Sequence, residues 1–81
     1  MNNNVIDLHG KSANEAVLIV RKAIDTAYKY GWTSIRVIHG FNNGTEIKTR
    51  IHQIKHKNLL KIIDNPSNSG ETIFHIKMKM F

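Results

Sequence analysis

Cysteine is absent from the 81 residues, and proline and tryptophan occur once each. Without cysteine there is no disulfide framework and no thiolate zinc site, so a chain this small must hold together by an ordinary apolar core. Long hydrophobic runs are also missing. The longest, from Ala16 to Val20, has five residues, whereas a membrane-spanning helix needs about 20. Met1-Asn2-Asn3-Asn4 lacks the basic-then-apolar layout of a signal peptide, so a cytoplasmic protein with no membrane contact is expected. Acidic residues are scarce. Six Asp and Glu against twelve Lys and Arg give a net charge of +6, which favours a polyanion, DNA or RNA, as the partner. The plainer reading of that charge is solubility of a chain rich in Lys and Asn.

What is present is organised around Val5-Ile6-Asp7-Leu8-His9-Gly10. A short apolar run ends there on a carboxylate and an imidazole and breaks at glycine, as a strand would. Side chains alternate along a strand, so Asp7 and His9 are expected on one face with Ile6 and Leu8 on the other. The ending recurs 30 residues later, where Ile35-Arg36-Val37-Ile38 runs into His39-Gly40. Between the two, Ser12 and Glu15 have capping-box spacing. Ala13, Ala16, Val17, Val20, Ala23, Ile24, Ala27 and Tyr28 then repeat at three and four, which predicts a helix over 13–30 stopped by Gly31. Strand, helix and strand of these lengths form a parallel βαβ unit with a right-handed crossover. Both His-Gly ends then lie at the carboxyl edge of the sheet, where open α/β sheets place ligands.

The remaining chain predicts a second helix, marked by Ile47, Ile51 and Ile54, with Lys48, Arg50, Lys55 and Lys57 on its other faces. Leu59 to Ile63 either continues that helix or forms a short strand. Asp64 to Gly70 is a polar turn, and Thr72 to Phe81 alternates as a last strand. The whole is one α/β domain, 1–81, of the α+β two-layer sandwich type. Its order is βαβαββ, a four-stranded mixed sheet with two helices on one face.

Imidazole is the side chain suited to acid/base work near neutrality. Asp7 can fix the tautomer of His9, and two helix amino ends beside Lys11 and Lys48 can hold phosphate. A single His-Gly end reads more plainly as a surface turn, but the repeat, one copy carrying Asp7, makes a site. His52 and His56, one helical turn apart, are expected on a solvated basic face rather than on a metal. Trp32 and Tyr30 are expected to pack at the end of the first helix. Phe41, in a Gly- and Asn-flanked turn, is expected to be exposed for stacking on a base.

At these residues the sequence resembles the small MutS-related (Smr) domain family. Ile6-Asp7-Leu8-His9-Gly10 is similar to its Leu-Asp-Leu-His-Gly motif. His39-Gly40-Phe41-Asn42-Asn43-Gly44, followed by Ile47-Lys48, is similar to its His-Gly-x-Gly-x-Gly-x-Leu-Arg motif. Asn42 replaces the middle glycine, and Lys48, a point charge rather than a fork, stands for arginine one residue later. The resemblance implies a nucleic-acid-binding domain in a family with DNA-nicking endonucleases, endoribonucleases and members that bind without cutting. Carried over, it implies Asp7, His9 and His39 as catalytic residues. It also implies Gly10, Lys11, Gly40, Phe41, Asn42, Asn43, Gly44 and Lys48 as nucleic-acid contacts. A divalent cation is the one cofactor the site admits.

Overall fold

The computed structural model describes residues 4–40 and 44–78. In chain order these form β1 (Val5–Asp7), α1 (Ala13–Tyr30), β2 (Ser34–Ile38), α2 (Gly44–His52), β3 (Leu59–Asp64) and β4 (Glu71–Ile76). The strands lie in the order β1-β2-β4-β3. β1 and β2 are parallel, whereas β4 runs antiparallel to both of its neighbours. This is the expected mixed sheet in βαβαββ order.

α1 begins where its sequence demands. Ser12 Oγ accepts the Glu15 N–H at 3.1 Å, and the Ser12 N–H donates to Glu15 Oε1 at 2.9 Å, satisfying two otherwise orphaned donors. Ala13, Ala16, Val20, Ile24 and Ala27 form its buried stripe. On the sheet the pleat sends Ile35 and Val37 of β2, and Thr72, Phe74 and Ile76 of β4, to the helix side. Register places Phe74 between Ile35 and Ile62. The Phe74 ring is fully buried, a burial worth about 1.5–3 kcal/mol. Ile47 and Ile51 of α2 join the same core, as does Ile54 just beyond it.

Residues 59–63 take the strand alternative that the βαβαββ order requires, and a register shift between Leu59 and Lys61 leaves Leu60 in the irregularity and exposed. Three expectations are corrected. α2 stops at His52 rather than running on to His56, because the Gln53 and Ile54 amides bond three residues back instead of four. β4 ends at Ile76. There its last ladder bonds reach Thr33 and Asn58, beyond which neither neighbouring strand extends. Tyr30 is 64% exposed rather than packed, while Trp32 is half-buried against the core. No helix among the described residues is long and apolar enough to cross a membrane.

The sheet face away from the helices carries a bidentate ion pair. Arg36 Nε and Nη2 donate to Glu71 Oε1 and Oε2 at 3.0 and 2.8 Å, and Asn65 Nδ2 adds a bond to Oε1 at 2.9 Å. Glu71 is only 2% exposed. The Arg36 and then the Asn65 hydrogen bonds hold its carboxyl below the ordinary 4.5. A depressed folded value means the stabilisation is present above 4.5 and is lost as pH falls through the lowered value. Thermal melts across the acid range should therefore show a flatter decline for Glu71→Gln than for the wild type. Identical slopes would mean that the pair contributes nothing to acid sensitivity.

Candidate nucleic-acid interface

Because β1 and β2 are parallel, with Asp7 beside Ile38, their carboxyl ends reach the same pole of the sheet. β4 runs the other way, so its start and the end of β3 arrive there too. The pole gathers residues 7–10, His39, Gly40, the 64–72 hairpin and the first turns of both helices. Gly10 and Gly40 have φ of 77° and 81°, and a Cβ on either would meet nothing within 4 Å. Glycine is required there by the backbone angle, at about 1–2 kcal/mol for other residues, and not by crowding. The His39 and Gly40 amides both donate to the Gly70 carbonyl, at 2.9 and 3.1 Å, which ties the end of β2 to the hairpin.

Asp7 and His9 are both exposed, but their relation differs from the expected one. β1 ends at Asp7, so strand alternation no longer governs His9. Asp7 Oδ1 accepts the backbone N–H of His9 at 2.9 Å, closing an Asx turn. The carboxylate fixes the main chain that presents the imidazole, and no hydrogen bond joins it to the ring among the described residues.

His39 departs further. Its side chain belongs to the core face and the residue is 6% exposed. Nδ1 lies 3.1 Å from the Gly40 carbonyl, and Nε2 lies 2.9 Å from Thr72 Oγ1. A carbonyl only accepts, so Nδ1 carries a proton. Burial first of all pushes the imidazole below its ordinary 6.5. The Gly40 carbonyl and the Asp64 charge oppose that shift, and the Lys48 and His52 charges add to it. In the neutral ring Nε2 is an acceptor, competing with Asp64 Oδ1 for the hydrogen bond that the Thr72 hydroxyl donates. His9 and His39 thus share a pole without forming two exposed imidazoles.

Behind His39 runs a polar chain that pattern reading missed. Thr72 Oγ1 is 3.2 Å from Asp64 Oδ1. The same oxygen meets His52 Nε2 at 2.9 Å, and Lys48 Nζ is 3.5 Å from Oδ2. Burial acts to raise the Asp64 carboxyl, but His52, Lys48 and Thr72 together hold it below its ordinary 3.8. Lys48 is therefore tied to a carboxylate as well as near the amino end of α2. His52 and His56 are not a solvated pair. His56 accepts the Asn58 N–H at Nδ1, at 3.0 Å, and bonds Asp25 through Nε2 at 2.8 Å. Among the described residues no group of three or more metal-ligating side chains is gathered.

Lys11 is exposed immediately after the Gly10 turn. The amino end of α1 beside it is already occupied in part by the Glu15 carboxylate, which weakens it as an anion site. Arg50 compensates: its Nη2 donates to Asn14 Oδ1 at 2.9 Å, bringing a guanidinium to that first turn. Sequence offered only the basic outer face of α2, with nothing to pair Arg50 with Asn14. Phe41, Asn42 and Asn43 lie outside the described residues, and Gly44 opens α2. The pH consequence of the buried imidazole is checkable. An unfolded His39 protonates at its ordinary 6.5 and the folded ring only below it, so acidification through that window removes stability. NMR titration should place the His39 ring midpoint below 6.5, and a midpoint above it would contradict the buried geometry.

Comparison with known proteins adds the family context. The profile of the Smr domain matches residues 6–72. Endonuclease MutS2 of Clostridioides difficile (strain 630) is 38% identical over 55 residues, 68% of this chain and 7% of that protein. Endonuclease MutS2 of Alkaliphilus oremlandii (strain OhILAs) is 34% identical over 76 residues, 89% of this chain and 10% of that protein. The chain thus spans a tenth or less of the length of these relatives. The crystal structure of the Smr domain of Thermus thermophilus MutS2 superposes with a TM-score of 0.82 at 26% identity, covering 90% of this chain and 96% of that one. YdaL, a stand-alone small MutS-related protein from Escherichia coli, superposes with a TM-score of 0.81, covering 94% of this chain and 66% of that one. At 14% identity it speaks for the fold alone.

Proposed function

The chain belongs to the Smr domain family, and on that footing we propose that it binds the backbone of DNA or RNA and cuts it as an endonuclease. The observation that carries this reading is the exposed His9 imidazole, presented on a turn closed by Asp7 at the pole where both strand ends arrive. Lys11, Arg50 and Lys48 supply positive charge around it. Gly10 and Gly40, where a Cβ would meet nothing within 4 Å, give the backbone room to approach phosphate. His9 is the acid/base group and Asp7 positions it through the main chain. His39 is a positioning residue that holds the end of β2 to the hairpin through Thr72.

On RNA the chemistry balances without a cofactor. The 2′-hydroxyl loses its proton and its oxygen bonds phosphorus, while the 5′-oxygen leaves with a proton, giving a cyclic phosphate and a free hydroxyl. His9 serves one of these proton transfers. Asp7 and His9 alone are a sparse donor set for a divalent ion, and one Asp7 oxygen is engaged by the His9 amide, so no step is routed through metal. A second reading, binding without cutting, is favoured by the burial of His39, which leaves one exposed imidazole at the pole where an acid/base pair calls for two.

Labelled single-stranded RNA, supercoiled plasmid and linear duplex, each with and without chelator, separate these readings. Binding should weaken steeply with salt, and Lys11→Ala should reduce it. His9→Ala should cost at least roughly 100-fold in cutting rate with binding nearly intact and cutting indifferent to chelator. Weak cutting that persists unchanged in His9→Ala would mark a contaminating nuclease and transfer the site to the binding-only reading.

A further inference from the structure

The opposite pole of the sheet, where α1 and β4 end and β2 begins, holds a cavity of about 470 Å³. That is within the size range of small-ligand sites, about 300–1,000 Å³. Its walls include Tyr30, Trp32 and Met78, flanked by Lys29 and Lys77. Tyr30 and Met78 are 64% and 77% exposed, so neither is spent on the core. The Tyr30 and Trp32 rings stand 6.1 Å apart with their planes 32° off parallel. Lys29 Nζ lies 5.6 Å from the Tyr30 ring centroid, so this π-face already holds a cation.

Three physical features select the occupant. Two lysines at the rim repel a cationic ligand and attract an anionic one. The carboxyl end of α1 forms part of the wall, and the negative end of a helix dipole disfavours phosphate deep inside while its carbonyls can accept from N–H donors. Exposed aromatic faces take flat, unpaired rings. A nucleobase with its phosphates outside meets all three conditions; a free phosphate or an apolar peptide meets only one.

We propose that this cavity takes one unpaired base of a single-stranded nucleic acid, stacked on Tyr30 against Trp32, with Lys29 and Lys77 on the flanking phosphates. As the base arrives, Lys29 exchanges the tyrosine ring for a phosphate. This second contact rests on the nucleic-acid reading above, and a strand that touches both poles runs at least the length of the five-residue β2, about 17 Å. Duplex is excluded because its bases are stacked and paired internally.

Trp32 is the only tryptophan in the chain, so its emission reports this cavity directly. Fluorescently labelled oligothymidylate and oligouridylate, and a labelled duplex, are titrated into the full chain while tryptophan emission and label anisotropy are followed together. Single strands should quench Trp32 saturably and duplex should not. Stronger quenching by one single strand names DNA or RNA as the source. Tyr30→Ala and Lys77→Ala, both at exposed positions, should keep the wild-type melting profile and weaken the quenching interaction about tenfold. Tyr30→Phe should restore it. Anisotropy that rises with Trp32 emission unchanged, or equal affinity in Tyr30→Ala, overturns the cavity proposal and spares the nucleic-acid reading. Absence of both signals overturns the two together. Emission that shifts with protein concentration alone puts a second copy in the cavity and overturns the proposal as well.

Discussion

Parallel pairing of β1 with β2 is the constraint on which the rest depends. Two parallel neighbours cannot be joined by a tight turn, so the chain must travel the length of the sheet and return. α1 makes that journey, and its 18 residues supply both the span and the apolar stripe that covers the sheet. Once the crossover is made, the two glycine-ended strands finish side by side. α2 leaves from the same edge, and the hairpin from β3 to β4 closes the group. No single residue at that pole creates the convergence; topology does.

Within that frame, polar side chains do different work on the two sides of the sheet. On the open side Arg36 and Glu71 bridge β2 and β4 by a planar fork, a geometry lysine could not reproduce. On the helix side His39, Thr72, Asp64, His52 and Lys48 form a chain from the end of β2 to α2. Thr72 has one hydroxyl proton for two acceptors, the His39 ring and the Asp64 carboxylate. It can serve only one at a time, so the charge of His39 and the hydration of Asp64 are linked.

Much of this was legible beforehand. Helix α1 could be read to the residue because a capping box, a regular stripe and a terminal glycine agree over its whole length. The βαβ unit followed from spacing, and the pole of the site from parallelism. What could not be read is tertiary. His39 looks like His9 in sequence, yet it lies one position past β2 on the core face and is buried, whereas His9 lies beyond the end of β1 and is free. The partners of His52 and His56 are carboxylates 12 and 31 residues away, and Arg50 reaches Asn14 across 36. Period and propensity carry no information about such pairs. Ile54 keeps helical spacing while packing from outside the helix, so periodicity alone overstates the length of α2.

The topology has one more consequence, concerning attachment. β1 starts and β4 finishes at the pole far from His9: Asn4 bonds across to Ser34, and the Ile76 amide reaches Thr33. Any polypeptide tethered at either side of the described region departs from there. The domain can hang from a larger assembly like a lamp from its flex, with the Asp7–Gly10 surface on the side away from the attachment. The same pole holds the Tyr30 cavity, so an affinity tag or fusion partner that leaves the first pole untouched can still mask the second.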